Sequence, residues 1–342
     1  MMIVLLNIFT VLYKELIGFF NIQPVIDMVK SGDYSSLNSL QGIENIIGPV
    51  IPFLLLIEII RAIVYKRFRV IDYKVQFFTY VFNRFIGQFL SFIIIAKLIG
   101  FFGDHRLFKT SFTWYWLIYG YIIWEFSHFI YHYLAHKIRL LWCLHSSHHA
   151  PEAMNLSVSY AHFILEGPYA DLIRNSICLF MGVDPLLLGL IMFIDGTWGA
   201  FIHVGENILK DARLGFLNKI ILTPSHHRVH HARNPLYMDT NFCNLLNIWD
   251  RVFGTLEYEK KEVPVEYGIT RKMVPNSFWD MYFGEIVALV RDVIKAPGIK
   301  NKLLYLVMPP GWSHTGDHKT AAVVRKEYLN KQVEIQAVSE VV

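Results

Sequence analysis

Residues 124–151 read WEFSHFIYHYLAHKIRLLWCLHSSHHAP, and the rest of the chain is arranged to hold this stretch. It places His128, His132 and His136 at four-residue intervals, then sets His145, His148 and His149 as H-x-x-H-H. On a helix, side chains four apart share one face at roughly 6 Å, so His132 and His136 can point at one metal ion. The same geometry serves His145 with His148 or His149. Residues 225–233, SHHRVHHAR, repeat the pattern: His227, His230 and His231 form a second H-x-x-H-H, and His226 makes a further four-residue pair with His230. One histidine on an apolar face is usually a packed, hydrogen-bonded residue. Eight in three short clusters reverse that reading, because neutral imidazole is the commonest nitrogen ligand of first-row metals. Four ligands saturate a tetrahedral site, so eight or more point to two ions.

Of 342 residues, 54% are hydrophobic and 15% aromatic, and mean hydropathy is +0.36. That apolar share exceeds the usual one of a soluble domain and implies an all-α integral membrane protein. The expected architecture is about four transmembrane or re-entrant helices carrying a cytosolic, helical histidine-box cap. A net charge of +4 implies no nucleic-acid partner. Cys143, Cys178 and Cys243 are odd in number and widely spaced, which implies no disulfide framework and suits a reducing, cytosol-facing site.

Three regions are expected: an apolar segment and loop (1–45), a membrane and histidine-box catalytic domain (46–260) and a cytosolic C-terminal extension (261–342). Residues 1–20, interrupted by Lys14 and Glu15, are expected to be either a first span or an interfacial helix, and not a cleaved signal peptide. Residues 46–65 form the first clear span, with Glu58 inside it. Arg61, Lys66, Arg67, Arg69 and Lys74 follow, and the positive-inside rule puts them in the cytoplasm. Residues 85–102 cross outward, and residues 112–129 return. At 1.5 Å per residue, roughly 20 residues bring the chain back to the cytosolic face near His132.

Residues 163–183 and 186–202 make a hairpin around the turn signal Asp184-Pro185. Asp171, Arg174 and Asp195 make these imperfect spans, so the hairpin is either full or re-entrant. His203 ends it, as either a further ligand or an interfacial polar residue. Residues 278–296 read as an amphipathic helix with Trp279, Tyr282 and Phe283, either on the membrane surface or packed on the catalytic domain. His314 and His318 fall in a surface loop, and the final 20 residues read as a polar tail.

His132-Tyr-Leu-Ala-His136, His145-Ser-Ser-His148-His149 and His227-Arg-Val-His230-His231 resemble the histidine boxes of the fatty acid hydroxylase and sterol desaturase superfamily. The longer run SHHRVHHARNPLYMDTNFCNLLNIWDRVFGT is similar to the alkylglycerol monooxygenase branch. The resemblance covers roughly residues 45–260. It implies a membrane enzyme with two iron ions that uses O₂ to oxidise an unactivated C–H bond of a membrane lipid. The eight box histidines would be the iron ligands, joined by His226 and His203. Oxygen insertion follows from the branch resemblance, while the same ligand set also serves a lipid or sterol desaturase. In the branch an acidic residue linked to tetrahydrobiopterin use typically follows the first box, and here Lys137 stands there. The external reductant is therefore either tetrahydrobiopterin or a separate donor of the cytochrome b5 or ferredoxin type.

Ligating histidines usually pass their second N–H to a carboxylate or carbonyl. Glu125, Glu152, Asp239 and Asp250 are candidate orienters, each equally an ordinary surface or capping residue. Asn155, Trp198 and Trp249 are candidates for a lipid channel, against packing or interface anchoring. Glu125-Phe-Ser-His128 matches the E-x-x-H of carboxylate-rich di-iron bundles once, without a second copy, and is read as chance. A metal transporter would spread its ligands along the spans. A zinc hydrolase would show H-E-x-x-H, which is missing.

Overall fold

The computed structural model describes residues 23–35, 42, 45, 47, 49–83, 86–274 and 277–339, which form thirteen α-helices. They are α1 (Gln23–Ser31), α2 (Val50–Val64), α3 (Ile71–Asn83), α4 (Ile86–Phe102), α5 (Trp114–Lys137), α6 (Arg139–His149), α7 (Glu166–Phe180), α8 (Pro185–Phe201), α9 (Pro224–His230), α10 (Ile248–Val252), α11 (Phe278–Lys295), α12 (Gly298–Val307) and α13 (Ala321–Ser339). Among the described residues β pairing is limited to two isolated bridges, Ile221 with Leu246 and Ala232 with Tyr267. The chain is all-α, as its sequence implies. The reading of residues 1–20 lies outside the described residues.

Within the described residues each expected span from residue 46 onward overlaps a helix, and four of these five helices are short. α2 and α7 have 15 residues, and α4 and α8 have 17. At 1.5 Å per residue these reach about 23–26 Å, less than the roughly 30 Å hydrocarbon core. α5 has 24 residues but carries Glu125 and three histidines. Among the described residues no helix is long and apolar enough to cross a membrane, which corrects the expectation of full single-helix spans.

Local chemistry sets the boundaries that matter. Asp184 caps α8: its carboxylate accepts the Leu186 and Leu187 N–H groups at 2.9 and 3.2 Å, with Pro185 at the first helical position. At Ile138 the backbone becomes extended (φ −116°, ψ 117°), and this separates α5 from α6. The break turns the second box back onto the first.

α4 and α5 both pack on α7, and α5 also meets α8. Tyr121 and Trp124 of α5, Cys178 and Leu179 of α7 and Leu187, Leu188 and Ile191 of α8 form the largest core. Gly120 permits the close α5–α8 approach, since a Cβ there would lie 2.8 Å from Ile191 Cδ1. On the far side of the boxes α11 packs on α6 and α12, burying Leu289 and Ala296 with Cys143 and Tyr305. Of the two readings of α11, the one packed on the box region describes its inner face: Tyr282 is buried, donates to Asn83 Oδ1 at 2.6 Å and accepts from Ile164 N–H at 2.7 Å. Its other face exposes Trp279, Val290 and Ile294. The segment read as a polar tail forms helix α13 through Ser339, with four Val among its Ala, Lys, Glu and Gln, and Arg325 ties it to Glu257 at 2.8 Å.

Candidate metal centre

Four segments deliver imidazoles to one place. α5 carries His132 and His136, α6 carries His145, His148 and His149, the end of the α7–α8 hairpin carries His203, and α9 with its C-terminal cap carries His227, His230 and His231. All nine rings are buried. They fall into two groups, His132, His136, His145, His149 and His230 in one, and His148, His203, His227 and His231 in the other. Within each group the ligand atoms lie within 4.8 Å of one another. The groups abut: His149 stacks on His231 with centroids 4.4 Å apart.

The ring orientations test whether metal fits. His132 Nδ1–H donates to Phe242 O at 2.9 Å, His203 Nδ1–H to Gly199 O at 2.6 Å and His230 Nδ1–H to Thr240 O at 2.8 Å. With Nδ1 as donor, the Nε2 of a neutral ring carries only a lone pair. Yet Nε2 of His132 lies 3.1 Å from Nε2 of His145, and Nε2 of His203 lies 3.2 and 2.9 Å from those of His148 and His227. Nε2 of His136 and His230 is buried with no hydrogen-bond partner. The lone pairs of His132 and His145 repel unless a cation lies between them, and in the other group His203 aims its lone pair at two further rings whose own Nδ1 atoms have no partner, so both donor sets fit a metal ion.

Electrostatics keeps the rings in the ligating state. Burial, and then the neighbouring rings, hold His132, His148, His149, His227 and His231 well below the usual imidazole range, and His230 likewise. Burial brings His136 down to about 4, although the Asp239 carboxylate pulls the other way, and His203 down to about 3. These rings are therefore neutral near pH 7.

The residues holding the ligands are partly those expected. Asp239 accepts from His136 Nδ1 at 3.4 Å and pairs with Lys137, so it places a carboxylate beside the first box and compensates the Lys137 charge. Glu125 and Asp250 touch no ligand; they act through backbone. Asp250 accepts the Phe242 and Cys243 N–H groups, both at 2.8 Å, and Glu125 accepts those of Asn244, Leu245 and Leu246 at 3.1, 2.7 and 2.9 Å. Together they fix the loop whose Thr240 and Phe242 carbonyls orient His230 and His132. Glu152 points elsewhere, against Gly268 and into a small pocket beside Arg69 and Asp72, which corrects its expected role as an orienter.

His226 stands outside both groups. Its Nδ1 accepts the Thr223 N–H at 3.1 Å and closes a capping box at the start of α9. His128 faces Asp195 at 3.7 Å and also stays out. The three channel candidates make structural bonds: Asn155 caps the short 3₁₀ helix Leu156–Tyr160, and the indoles of Trp198 and Trp249 donate to Leu222 O and Ile122 O. None of them lines the cavity of about 720 Å³ that reaches His136, His149 and His230. Its walls include Lys137, Trp142 and Asp239, with Tyr305 and Trp312 from the C-terminal region.

Glu166 was not among the expected residues. It accepts from His145 Nδ1 at 2.5 Å, from Tyr131 OH at 2.8 Å and from His162 Nδ1 at 2.9 Å. His162 in turn stacks on His148 with centroids 4.3 Å apart. The i,i+4 pair His162 and Glu166 was the available signal, hidden because residues 163–183 read as an apolar span.

Residues 116–255 match the family model described as fatty acid hydroxylase. The chain is 27% identical to alkylglycerol monooxygenase of Homo sapiens over 81% of its own length and 62% of that protein's. It is 31% identical to alkylglycerol monooxygenase of Danio rerio over 60% of its own length and 43% of that protein's. With ornithine lipid hydroxylase OlsE of Rhizobium tropici the identity is 30%, covering 46% of each chain. The chain thus spans about half the length of these relatives. No solved structure matches. The three boxes and the two abutting nests of buried imidazole they form lie inside the segment that matches the fatty acid hydroxylase model, and this is the part of the chain that is similar to that family and to the alkylglycerol monooxygenases.

Proposed function

We propose that the chain is a membrane-bound oxidoreductase that holds two iron ions in its paired histidine nests and uses O₂ to hydroxylate or monooxygenate a C–H bond of a lipid. The observation that carries this reading is the convergence of imidazole nitrogens within two abutting groups of five and four buried histidines. The relatives' names, a monooxygenase and a lipid hydroxylase, support oxygen insertion over desaturation. When bound, the iron pair would supply the activation of O₂ that an unactivated C–H bond requires.

The chain's own residues prepare that site. Thr240, Phe242 and Gly199 carbonyls and the Asp239 and Glu166 carboxylates hold the Nδ1 protons, which leaves Nε2 free to ligate. Burial of all nine rings excludes bulk water. The cavity at His136, His149 and His230 falls within the size range of small-molecule sites, which supports a small-molecule reductant over a docked protein donor.

Exposed apolar side chains support membrane attachment: Ile57, Ile60 and Ile63 on α2, Phe89 and Phe92 on α4 and Trp114 at the start of α5. Arg61 in the last turn of α2 and Lys66, Arg67 and Arg69 between α2 and α3 support a cytosolic position for the boxes and the C-terminal region. The test is lipid mass spectrometry of cells with and without the chain under ¹⁸O₂. The expected result is a lipid that gains one labelled oxygen, or its cleavage product. A lipid that loses two hydrogens without label would indicate desaturation, and an unchanged lipidome would overturn the reading.

A further inference from the structure

Glu58 sits in the middle of α2, on a segment otherwise apolar, and is completely buried. It faces neither a cation at ion-pair distance nor a histidine. Its two carboxylate oxygens instead accept two backbone N–H groups far apart in sequence: Oε2 takes Leu156 N–H at 2.8 Å and Oε1 takes Gly205 N–H at 2.7 Å. Leu156 opens the 3₁₀ helix that leads to His162, the ring stacked on His148 at 4.3 Å and 13°. Gly205 follows His203 by two residues, and His203 Nε2 lies 3.2 Å from His148 Nε2.

Both loops held by Glu58 therefore reach the group His148, His203, His227 and His231, and the other group is touched only indirectly, through His162 and the Glu166 carboxylate that holds His145. The loop orienting His132 and His230, of the other group, is held separately by Glu125 and Asp250. Gly205 is part of the Glu58 clamp: a Cβ there would lie 2.6 Å from Glu58 Oε1 and 2.7 Å from Met154 O, so a larger residue would push the carboxylate away.

We propose that Glu58 is a positioning residue for the four-histidine centre alone, clamping from α2 the two loops that aim His148 and His203. The proposal rests on the two-centre reading above. Anaerobic titration of the purified full-length chain with ferrous iron tests it. Glu58→Gln keeps the volume but offers one acceptor atom, leaving one of the two N–H groups against an amide NH₂. One site should then lose about 10- to 100-fold in affinity while the other is unchanged. Adding His227→Ala to that variant should abolish the weakened site and leave the other as it was, whereas adding His136→Ala should remove the unaltered site and leave the weakened one. Gly205→Ala, acting from the opposite side of the clamp, should reproduce the one-site loss and serves as the readout where Glu58→Gln does not fold. Two unaltered sites in both variants, or equal weakening of both sites, would overturn the proposal. A wild-type chain that binds a single ion would overturn the two-centre reading itself, and is measured before any variant is made.

Discussion

Replacing Glu166 by Ala removes one carboxylate from three donors at once: His145 Nδ1, Tyr131 OH and His162 Nδ1. The first two are buried, while the His162 side chain is 38% exposed and can turn to water. A buried donor left without an acceptor costs about 1–3 kcal/mol, so His145 and Tyr131 together should cost the metal-free protein about 2–6 kcal/mol. Loss of a ligand's outer partner typically lowers metal affinity about 10- to 100-fold, equivalent to about 1.4–2.7 kcal/mol. The larger effect is thus on folding and the smaller on metal. Glu166→Gln, with one acceptor oxygen left, should fall between wild type and Glu166→Ala in both. Thermal melting of the metal-free protein, followed by competition for ferrous iron against a chelator, reads the two separately. Wild-type melting and wild-type iron affinity in Glu166→Ala would refute the reasoning that this carboxylate orients His145.

Three further outcomes follow from the same geometry. His148→Ala removes one of four ligands and should abolish lipid oxidation while leaving membrane insertion intact; a fully active variant would remove His148 from the site. In the metal-free protein burial holds His132, His136, His148, His149, His203, His227, His230 and His231 below the imidazole range of the unfolded chain, so the unfolded state takes protons first as pH falls. Stability should be full above about pH 6.5 and fall below it by up to about 1.4 kcal/mol per pH unit for each such ring, with His136 and His203 extending the loss toward about 4 and 3. Equal melting temperatures at pH 7.5 and 5.5 would contradict this. Asp250→Ala strips the buried Phe242 and Cys243 N–H groups of their acceptor, while the part-buried Thr255 hydroxyl can turn to water, and should destabilise the chain by about 2–6 kcal/mol in chemical denaturation.

The box histidines were legible because their spacing is a local property. Four-residue repeats on α5 and α6 need only helical geometry to converge, and the H-x-x-H-H of α9 repeats the device. The division into groups of five and four was not legible, since adjacent residues separate: His148 joins one group and His149 the other, about 100° apart around the same helix turn. The choice between His226 and His203 also needed the fold. His226 has the better spacing but spends its Nδ1 on capping α9, whereas His203 is brought in by the return of a hairpin.

The carboxylates show the same limit. Asp239, next to Lys137 in space but about a hundred residues away in sequence, could be suspected only from its nearness to the third box. Glu125 and Asp250 were singled out as orienters, yet their effect passes through backbone amides that no side-chain pattern reveals. Glu58 read as a flaw in an apolar run because the two N–H groups it accepts lie 98 and 147 residues downstream. Apolar runs read as complete spans although four of the helices they form have only 15 or 17 residues.

The central claim is that two distinct nests of imidazole each hold one metal ion. The most direct measurement is iron per chain after anaerobic reconstitution, with Mössbauer spectra of the loaded protein. The account predicts two ions in unlike sites, with His136→Ala depleting one and His227→Ala the other. A stoichiometry of one, or both ions lost together in each variant, would contradict it.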